Sequence, residues 1–217
     1  MRPLKVLNLY AGIGGNRKLW QNVEVTAVEQ NAEIAKIYSD FFPEDEMIVG
    51  DAHEFLLKHF AEYDFIWSSP PCPTHSRARY WGSFREDTDF VYPDMKLWQE
   101  IIFLQHFAKN LWVVENVKPY YGDKFNGVQV GRHYFWSNFY IIPLNTKSTY
   151  YQDRENGLLE QITGFNLDNY KVKDKTKLLR NCVEPNIGLH VFNSALKKLP
   201  PMPLGTLFEN DENKIAL

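Results

Sequence analysis

The sequence predicts an α/β fold: a mostly parallel, doubly wound sheet that ends in one antiparallel hairpin. Short apolar runs alternate with stretches of helical spacing through residues 5–114, and this alternation is typical of a parallel sheet. An aromatic-rich segment, residues 128–142, has the pattern of a hairpin. With 217 residues, of which 44% are hydrophobic, the chain is long enough for one such domain and its core. We therefore expect residues 1–217 to form a single domain.

The predicted elements follow one another as β-α units. The predicted strands are residues 5–10, 23–28, 47–49, 63–67 and 111–114. The predicted helices are residues 16–20, 32–41, 53–60, 92–109 and 187–196. In open α/β sheets, ligands bind outside the C-terminal ends of the strands. The residues that directly follow each strand are therefore the candidates for function.

Charge is distributed unevenly along the chain. The net charge is −3, yet residues 24–64 carry 11 acidic side chains and only two lysines, which leaves about +6 on the rest. A polyanion could bind the later part of the chain, although an ordinary solvated acidic face would explain the early part equally well.

Cysteine content and the N-terminus bear on the cellular compartment. Two cysteines cannot form a disulfide framework, and no metal-type spacing of Cys and His occurs. The apolar stretch near the N-terminus is broken by Gly12 and is too short for a signal peptide or a membrane span. We expect a cytoplasmic protein without a metal and without a membrane partner.

Glycines and acids after the first three strands predict a site for an adenosine-bearing cofactor. Gly12 and Gly14 follow the first strand, where a glycine-rich turn lets backbone amides approach a ligand. Glu29 ends the second strand, 17 residues after Gly12, and acids at about 20 residues bind ribose hydroxyls in dinucleotide folds. Asp51, after the third strand, could contact the adenine edge; taken alone, it favours a helix N-cap.

Cys72 follows the fourth strand in the turn Ser68-Ser69-Pro70-Pro71-Cys72-Pro73. Most free cysteines are small buried hydrophobes. A thiol held at the C-terminal edge of a sheet, beside a cofactor site, is instead a candidate nucleophile.

These residues lie in stretches that resemble the DNA cytosine-5 methyltransferase family. The stretches are residues 8–15, Glu29, Gly50-Asp51, Pro70-Pro71-Cys72, Glu115-Asn116-Val117 and residues 131–138, with Arg180-Asn181-Cys182-Val183 resembling the last motif. They occur in the family's order, and the Pro-Pro-Cys and Glu-Asn-Val pair is the specific part. The resemblance implies a Rossmann-like S-adenosylmethionine-dependent methyltransferase fold and methyl transfer to C5 of cytosine in double-stranded DNA.

The resemblance also implies roles for individual residues. Cys72 would add to C6 of the base, Glu115 would bind the N3/N4 edge and protonate N3, and Arg132 would hold the base. S-adenosylmethionine, with S-adenosylhomocysteine as its product, would be bound by Tyr10, Gly12, Gly14, Glu29, Gln30, Asp51, Ala52, Pro70 and Asn181. Because a paired cytosine is unreachable, the enzyme would flip it out of the stack. The loop Pro73–Asp89, with its arginines and aromatics, would close over it, unless it is a plain surface loop.

The chain also departs from the family. His133 stands where a second arginine is common, and residues 143–178 leave room for only a minimal target-recognition segment before residues 179–199 return to the catalytic core. Lys171, Lys173, Lys175 and Lys177 would face one side of a strand, to track phosphates or to guard a sheet edge. A separate recognition subunit could compensate for the short segment.

Three alternatives compete with DNA methylation. The catalytic set would serve a transfer-RNA cytosine-5 methyltransferase equally well. A non-catalytic, methylase-like partner would explain the short recognition segment but would need no thiol. Ser69-Pro70-Pro71 also resembles the motif of amino-methyltransferases, which have an aromatic where this chain has Cys72. We expect a bacterial or phage-type setting, whereas the target sequence and pairing with a restriction enzyme are not specified by these residues.

Overall fold

A computed structural model of the chain describes residues 2–85, 88–144 and 156–197. It contains a seven-stranded sheet in the order β3-β2-β1-β4-β5-β7-β6. The strands are β1 Leu4–Leu9, β2 Val23–Glu29, β3 Glu46–Val49, β4 Phe65–Ser68, β5 Leu111–Val117, β6 Val128–Val130 and β7 His133–Ser137. The first five are parallel, whereas β7 pairs antiparallel with both β5 and β6. The predicted Rossmann-like α/β fold with an antiparallel hairpin is confirmed.

Helices connect the parallel strands and follow the hairpin. They are α1 Ala32–Phe41, α2 Ala52–His59, α3 Arg77–Gly82, α4 Lys96–Phe107, α5 Asn156–Thr163, α6 Lys175–Asn181 and α7 Pro185–Ala195, with a 3-10 turn at Phe60–Glu62. The helix predicted at residues 16–20 is wrong, because residues 15–19 form successive turns. Each turn closes over three residues, as in the bonds from Arg17 N to Gly14 O and from Trp20 N to Arg17 O.

The sheet is buried on both faces. Along β4, Phe65 and Trp67 pack in one apolar cluster, and Ile66 packs in another, because successive side chains of a strand point to opposite faces. All three side chains have no exposed surface. This double burial explains why the predicted strands are continuous apolar runs.

Helix α7 packs against the turns that follow β1. Trp20 stacks on Phe192 with ring centroids 5.1 Å apart, and its indole N–H donates to Gly188 O at 3.2 Å. A Cβ atom on Gly188 would lie 2.4 Å from the backbone oxygen of Asn16. The C-terminal helix therefore fixes the N-terminal turns through backbone-to-backbone contact.

We expect Gly188→Ala to lower the free energy of unfolding by about 1–3 kcal/mol, since the added methyl group overlaps backbone atoms that cannot rotate away. Gly157→Ala is the matched control, because Gly157 is also helical and its Cβ would meet no atom within 4 Å. That change should be neutral or stabilising by up to about 1 kcal/mol, the intrinsic helical advantage of alanine. Urea unfolding of both variants measures the difference, and equal effects would contradict the packing argument.

The described part of the predicted recognition segment, residues 156–178, contributes to the core. Leu159, Phe165 and Leu167 are buried in one cluster with Ile13 and Ile37. Residues 145–155 of the same segment lie outside the described residues. So do residues 86–87 of the predicted lid and residues 198–217.

The lysine strand predicted at residues 171–177 is wrong. Lys171 and Lys173 precede α6, and Lys175 and Lys177 lie on it. The Asp174 carboxylate accepts from Lys177 N at 2.8 Å and caps the helix. Residues two apart on a helix do not share a face, so the four lysines do not form one row.

No helix within the described ranges is long and apolar enough to cross a bilayer.

Candidate active site

The predicted site residues follow neighbouring parallel strands at one edge of the sheet. Tyr10 comes directly after β1, Glu29 ends β2, Asp51 follows β3 and Cys72 follows β4. Glu115 was expected after β5 but lies inside it, because that strand continues to Val117. The arrangement brings the residues predicted to bind a cofactor, at β1–β3, beside the predicted catalytic residues, at β4–β5.

The turn after β1 contains two glycines with positive φ. Gly12 has φ +54°, and a Cβ there would meet no atom within 4 Å, so its face of the turn is open to a ligand. Gly14 has φ +85°, and a Cβ would lie 2.3 Å from the Phe42 ring. Tyr10 also has a positive φ, 55°, which is uncommon for a residue with a side chain. The backbone of this turn thus adopts positive φ angles that residues with side chains rarely adopt, and its surface at Gly12 is open.

Glu29 connects this turn to α1. Its carboxylate accepts from Gly12 N at 3.0 Å and from Asn31 N at 2.9 Å. A carboxylate has about four lone-pair sites, so both oxygens retain capacity for ribose hydroxyls. The open glycine turn and this oriented carboxylate fit the adenosine-bearing cofactor that the sequence predicts.

Asp51 caps the N-terminus of α2 through its carboxylate. Its Oδ1 accepts from His53 N and Glu54 N at 2.8 and 3.1 Å, and its Oδ2 lies 3.6 Å from Lys96 Nζ. The backbone bond from Glu54 contributes most to holding the pKa of this carboxyl below its ordinary value, despite partial burial, with Lys96 adding to the effect. Asp51 is therefore an ionised acceptor.

The other predicted cofactor residues differ in exposure: Ala52 and Pro70 are buried, and Gln30 and Asn181 are exposed.

Glu100 was missed by the sequence analysis and joins three side chains beside the predicted cofactor residues. This carboxylate on α4 has no exposed surface. It accepts from the hydroxyls of Tyr10 and Ser68, both at 2.6 Å, and it lies 2.9 Å from Nδ1 of His53. The hydrogen bond between Glu100 and His53 is the main cause of the raised pKa of His53, and partial burial acts in the opposite direction. The signal in the sequence is a charged residue among the buried apolar positions of α4.

The turn that carries Cys72 is fixed from β5. Asn116 is buried and donates to Pro70 O at 2.8 Å, and the Cys72 carbonyl accepts from His75 N at 3.0 Å. The thiol itself is partly exposed. Burial, followed by the negative charge of Glu115, raises the pKa of Cys72, although Arg132 and Lys177 act in the opposite direction. The group is thus a protonated thiol in the free protein, placed within electrostatic reach of Glu115.

His133, rather than Arg132, holds Glu115. Its Nδ1 lies 2.6 Å from Glu115 Oε1. Burial alone would raise the pKa of Glu115, but the charge and hydrogen bond of His133, supported by Ser69 and Arg132, bring it below its ordinary value. The Arg132 guanidinium donates to Arg180 O and Cys182 O at 2.6 and 2.7 Å. Its contact with a base stays a prediction, and the histidine beside it is the direct partner of the carboxylate.

The segment after Cys72 is not a plain loop. It contains α3, which Ser76 caps by accepting from Arg79 N at 3.2 Å. Tyr80 stacks on Tyr120 with ring centroids 4.7 Å apart, whereas Trp81 and Phe84 remain about two-thirds exposed. Exposed aromatic rings in the segment after Cys72 are able to stack on bases, so the lid role stays a prediction. No group of acidic, His and Cys side chains that could hold a metal occurs among the described residues.

Comparisons with known proteins bear on this arrangement. A family model described as C-5 cytosine-specific DNA methylase matches residues 4–128, which include Cys72 and Glu115 but not Arg132 or His133. Mouse (Mus musculus) and human (Homo sapiens) proteins named tRNA (cytosine(38)-C(5))-methyltransferase are 29% and 26% identical over 129 and 127 residues. Each alignment covers 55% of this chain but only 30% and 32% of the relative. A solved mutant of Spodoptera frugiperda DNMT2 is 27% identical, covering 53% of this chain and 36% of that one with a TM-score of 0.38.

Proposed function

The chain belongs to the family of C-5 cytosine-specific DNA methylases, and from this premise we propose that it methylates C5 of cytosine in a nucleic acid through a covalent bond from Cys72 to C6. The observation that carries the proposal is the placement of Cys72 after β4 and of Glu115 on the adjacent strand β5, where the negative charge of the carboxylate raises the pKa of the thiol. A thiol nucleophile paired with an acid is what this reaction needs, because C5 becomes nucleophilic only after C6 has accepted a nucleophile.

The methyl donor in this proposal is S-adenosylmethionine, which supplies an electrophilic methyl group when bound. The open turn at Gly12 and the Glu29 carboxylate would bind its adenosine part. Glu100 would stabilise the same region by fixing Tyr10 and, through His53, the start of α2. These residues bind and orient the donor, and none of them touches the reacting base.

Cys72 must lose its proton before it can attack. Its pKa is raised mainly by burial, so the thiolate is scarce at neutral pH until a substrate is bound. Glu115 is the residue placed to bind the base and to protonate N3 as electron density moves there. The protonated form of Glu115 that makes this transfer carries no negative charge against the thiolate. Base binding at Glu115 and activation of Cys72 are therefore coupled.

DNA is the first candidate substrate, since it is the substrate in the family's description. Transfer RNA is the second, because the curated relatives are named as transfer-RNA methyltransferases. In either polymer the target base has to leave its stack. Helix α3 with Trp81 and Phe84 is the proposed surface for that step. We further propose that a separate subunit supplies sequence recognition, because residues 143–178 are few and three of them, Leu159, Phe165 and Leu167, are buried in the core.

Labelled S-adenosylmethionine, duplex DNA and total transfer RNA distinguish these substrates. We expect label in one of the two polymers, at C5 of cytosine, with wild-type protein and none with Cys72→Ser. Base-resolution mapping then gives the site. Label on an exocyclic amine would favour amino-methylation instead. Cofactor binding without transfer to either polymer, also after addition of cell extract as a source of a partner, would support the non-catalytic alternative.

We expect Glu29→Ala to raise the Kd for S-adenosylhomocysteine roughly tenfold to a hundredfold, because one or two hydrogen bonds to a charged acceptor are lost. Glu29→Gln should have a smaller effect, since the amide oxygen still accepts. The control is Glu33→Ala, which removes an exposed acid from the first turn of α1. Titration calorimetry measures the Kd, and thermal melting shows whether each variant is folded. An unchanged Kd in a folded Glu29→Ala variant would exclude the ribose assignment.

A further inference from the structure

His75, three residues after Cys72, is hydrogen-bonded through all of its polar groups but one. The residue has no exposed surface. Its backbone N–H donates to Cys72 O at 3.0 Å, and its backbone oxygen accepts from Tyr120 N at 3.0 Å. Its ring nitrogen Nδ1 lies 2.7 Å from Tyr121 Oη, whereas Nε2 is buried and has no hydrogen-bond partner among the described residues. The turn that carries the thiol is therefore bound, at His75, to the segment that follows β5.

The hydrogen bonds around Tyr121 favour one tautomer of His75. Trp98 Nε1 lies 2.9 Å from Tyr121 Oη, and an indole nitrogen can only donate. If the Tyr121 hydroxyl donates in turn to Nδ1 of His75, every polar side-chain atom of this chain of bonds is paired except Nε2, which then carries the ring hydrogen. The opposite tautomer would leave both Nε2 and the Tyr121 hydroxyl hydrogen without a partner among the described residues. Burial lowers the pKa of His75, against the effect of Asp94, so the ring is neutral at pH 7.5.

A histidine at this buried position needs a polar role to explain it. A buried donor without a partner destabilises a protein, and a phenylalanine ring would fill similar space without that cost. What the imidazole ring gains is its bond to Tyr121, which connects the turn to α4 through Trp98. Trp98 is only 4% exposed and packs edge-to-face on Trp136 of β7, with ring centroids 5.3 Å apart. The bond therefore joins the turn to a rigid part of the core.

We propose that His75, as the acceptor of the Tyr121 hydroxyl, is a positioning residue for Cys72. It fixes the turn after the thiol, as Asn116 fixes the turn before it. The inference rests on the proposed function and names a new participant in it. His75 bonds to the backbone of Cys72 and acts on where the thiol lies. Asn116 is next to Glu115 on β5, and Tyr121 follows the same strand, so one element sets the nucleophile and the acid relative to each other.

Two substitutions break this bond from opposite sides. His75→Phe removes Nδ1 and keeps a ring in the interior, and Tyr121→Phe removes only the hydroxyl. Single-turnover methyl transfer should fall roughly tenfold to a hundredfold in each, since displacing a reacting group by about 1 Å can cost about a hundredfold. The double variant should be no slower than the slower single variant, because both residues act through one bond. Losses that multiply in the double variant would overturn the proposal.

His75→Asn separates positioning from simple filling of the interior. The asparagine oxygen lies near the place of Nδ1 and still accepts from Tyr121, so this variant should transfer methyl groups faster than His75→Phe. A space-filling role predicts the opposite order, because phenylalanine fills the buried volume better, and that order would overturn the proposal. The control is Tyr63→Phe, which removes a hydroxyl from a partly buried tyrosine before β4, at the opposite edge of the sheet. Its rate should be unchanged. Thermal melting shows whether each variant is folded.

A second measurement needs no turnover and keeps the inference separate from the proposed function. Iodoacetamide at pH 7.5, followed by mass spectrometry of both cysteine peptides, reports how firmly the thiol is held. In Tyr121→Phe and His75→Phe, Cys72 should react roughly twofold to tenfold faster than in wild type, because a released turn loses part of the burial that raises the pKa of this thiol. The buried Cys182 is the internal control and should not change. An unchanged Cys72 rate, or equal acceleration of both thiols, would overturn the proposal even if methyl transfer is found.

Discussion

Replacing Cys72 by serine is expected to lower methyl transfer roughly 10⁴-fold or more, the scale on which enzymes lose activity with their nucleophile. A serine hydroxyl is not ionised near neutral pH and is a weak nucleophile without a general base. Cys72 forms no side-chain hydrogen bond with the predicted cofactor residues in the described structure, so the Kd for S-adenosylhomocysteine should change by less than about twofold, or 0.4 kcal/mol.

Single-turnover transfer of a labelled methyl group measures the first effect, and titration calorimetry measures the second. A nucleic acid with 5-fluorocytosine at the mapped position adds a covalent readout. Fluorine at C5 leaves no proton to remove, so wild-type protein should remain bonded to the base through Cys72. Adduct formation by Cys72→Ser, or methyl transfer at more than a tenth of the wild-type rate, would contradict the covalent role.

Glu115→Gln is expected to change two observables in opposite directions. Methyl transfer should fall roughly 10²- to 10⁴-fold, because an amide cannot deliver a proton to N3. Alkylation of Cys72 by iodoacetamide at pH 7.5 should become faster. The carboxylate is one cause of the raised pKa of Cys72, so its removal lowers that pKa and increases the thiolate fraction, by about tenfold for each unit.

The second thiol does not obscure this experiment. Burial raises the pKa of Cys182 to about 12, so this residue stays unreactive in folded protein. Glu62→Gln is the matched control, since Glu62 pairs with His59 on the surface as Glu115 pairs with His133 in the interior. Mass spectrometry of the Cys72 peptide gives the alkylation rate. Slower alkylation in Glu115→Gln would show that the carboxylate does not oppose the thiolate.

The sheet could be predicted because its signals are local. Runs such as Phe65-Ile66-Trp67 are apolar throughout, which specifies a strand buried on both faces. Gly12, Glu29, Asp51 and Cys72 were predicted as site residues by the same logic, since each lies at the C-terminal end of a strand or within four residues after it. The capping residues that begin α3 and α6, Ser76 and Asp174, are also local signals. The lysine spacing at residues 171–177 was instead interpreted as a strand with only one apolar residue, Val172, alternating with the lysines.

The missed contacts join residues far apart in sequence. Glu100 meets Tyr10 across 90 residues, Asn116 meets Pro70 across 46, and His133 meets Glu115 across the antiparallel pairing of β5 and β7. A single sequence specifies that such polar side chains are present, but their partners depend on how the strands are ordered. The same limit affects Arg132, whose motif position suggested the base but whose guanidinium bonds to backbone carbonyls.

The contact between α7 and the turns after β1 constrains the order in which the protein can assemble. The glycine turn is synthesised some 170 residues before its neighbours Val183, Gly188 and Phe192. At about 5–20 residues per second, a ribosome needs on the order of ten seconds or more to supply them. During that interval the nascent chain exposes Trp20 and an incomplete cofactor turn. Chain termination before α7 should therefore yield a protein that a chaperone recognises and that cannot bind nucleotide.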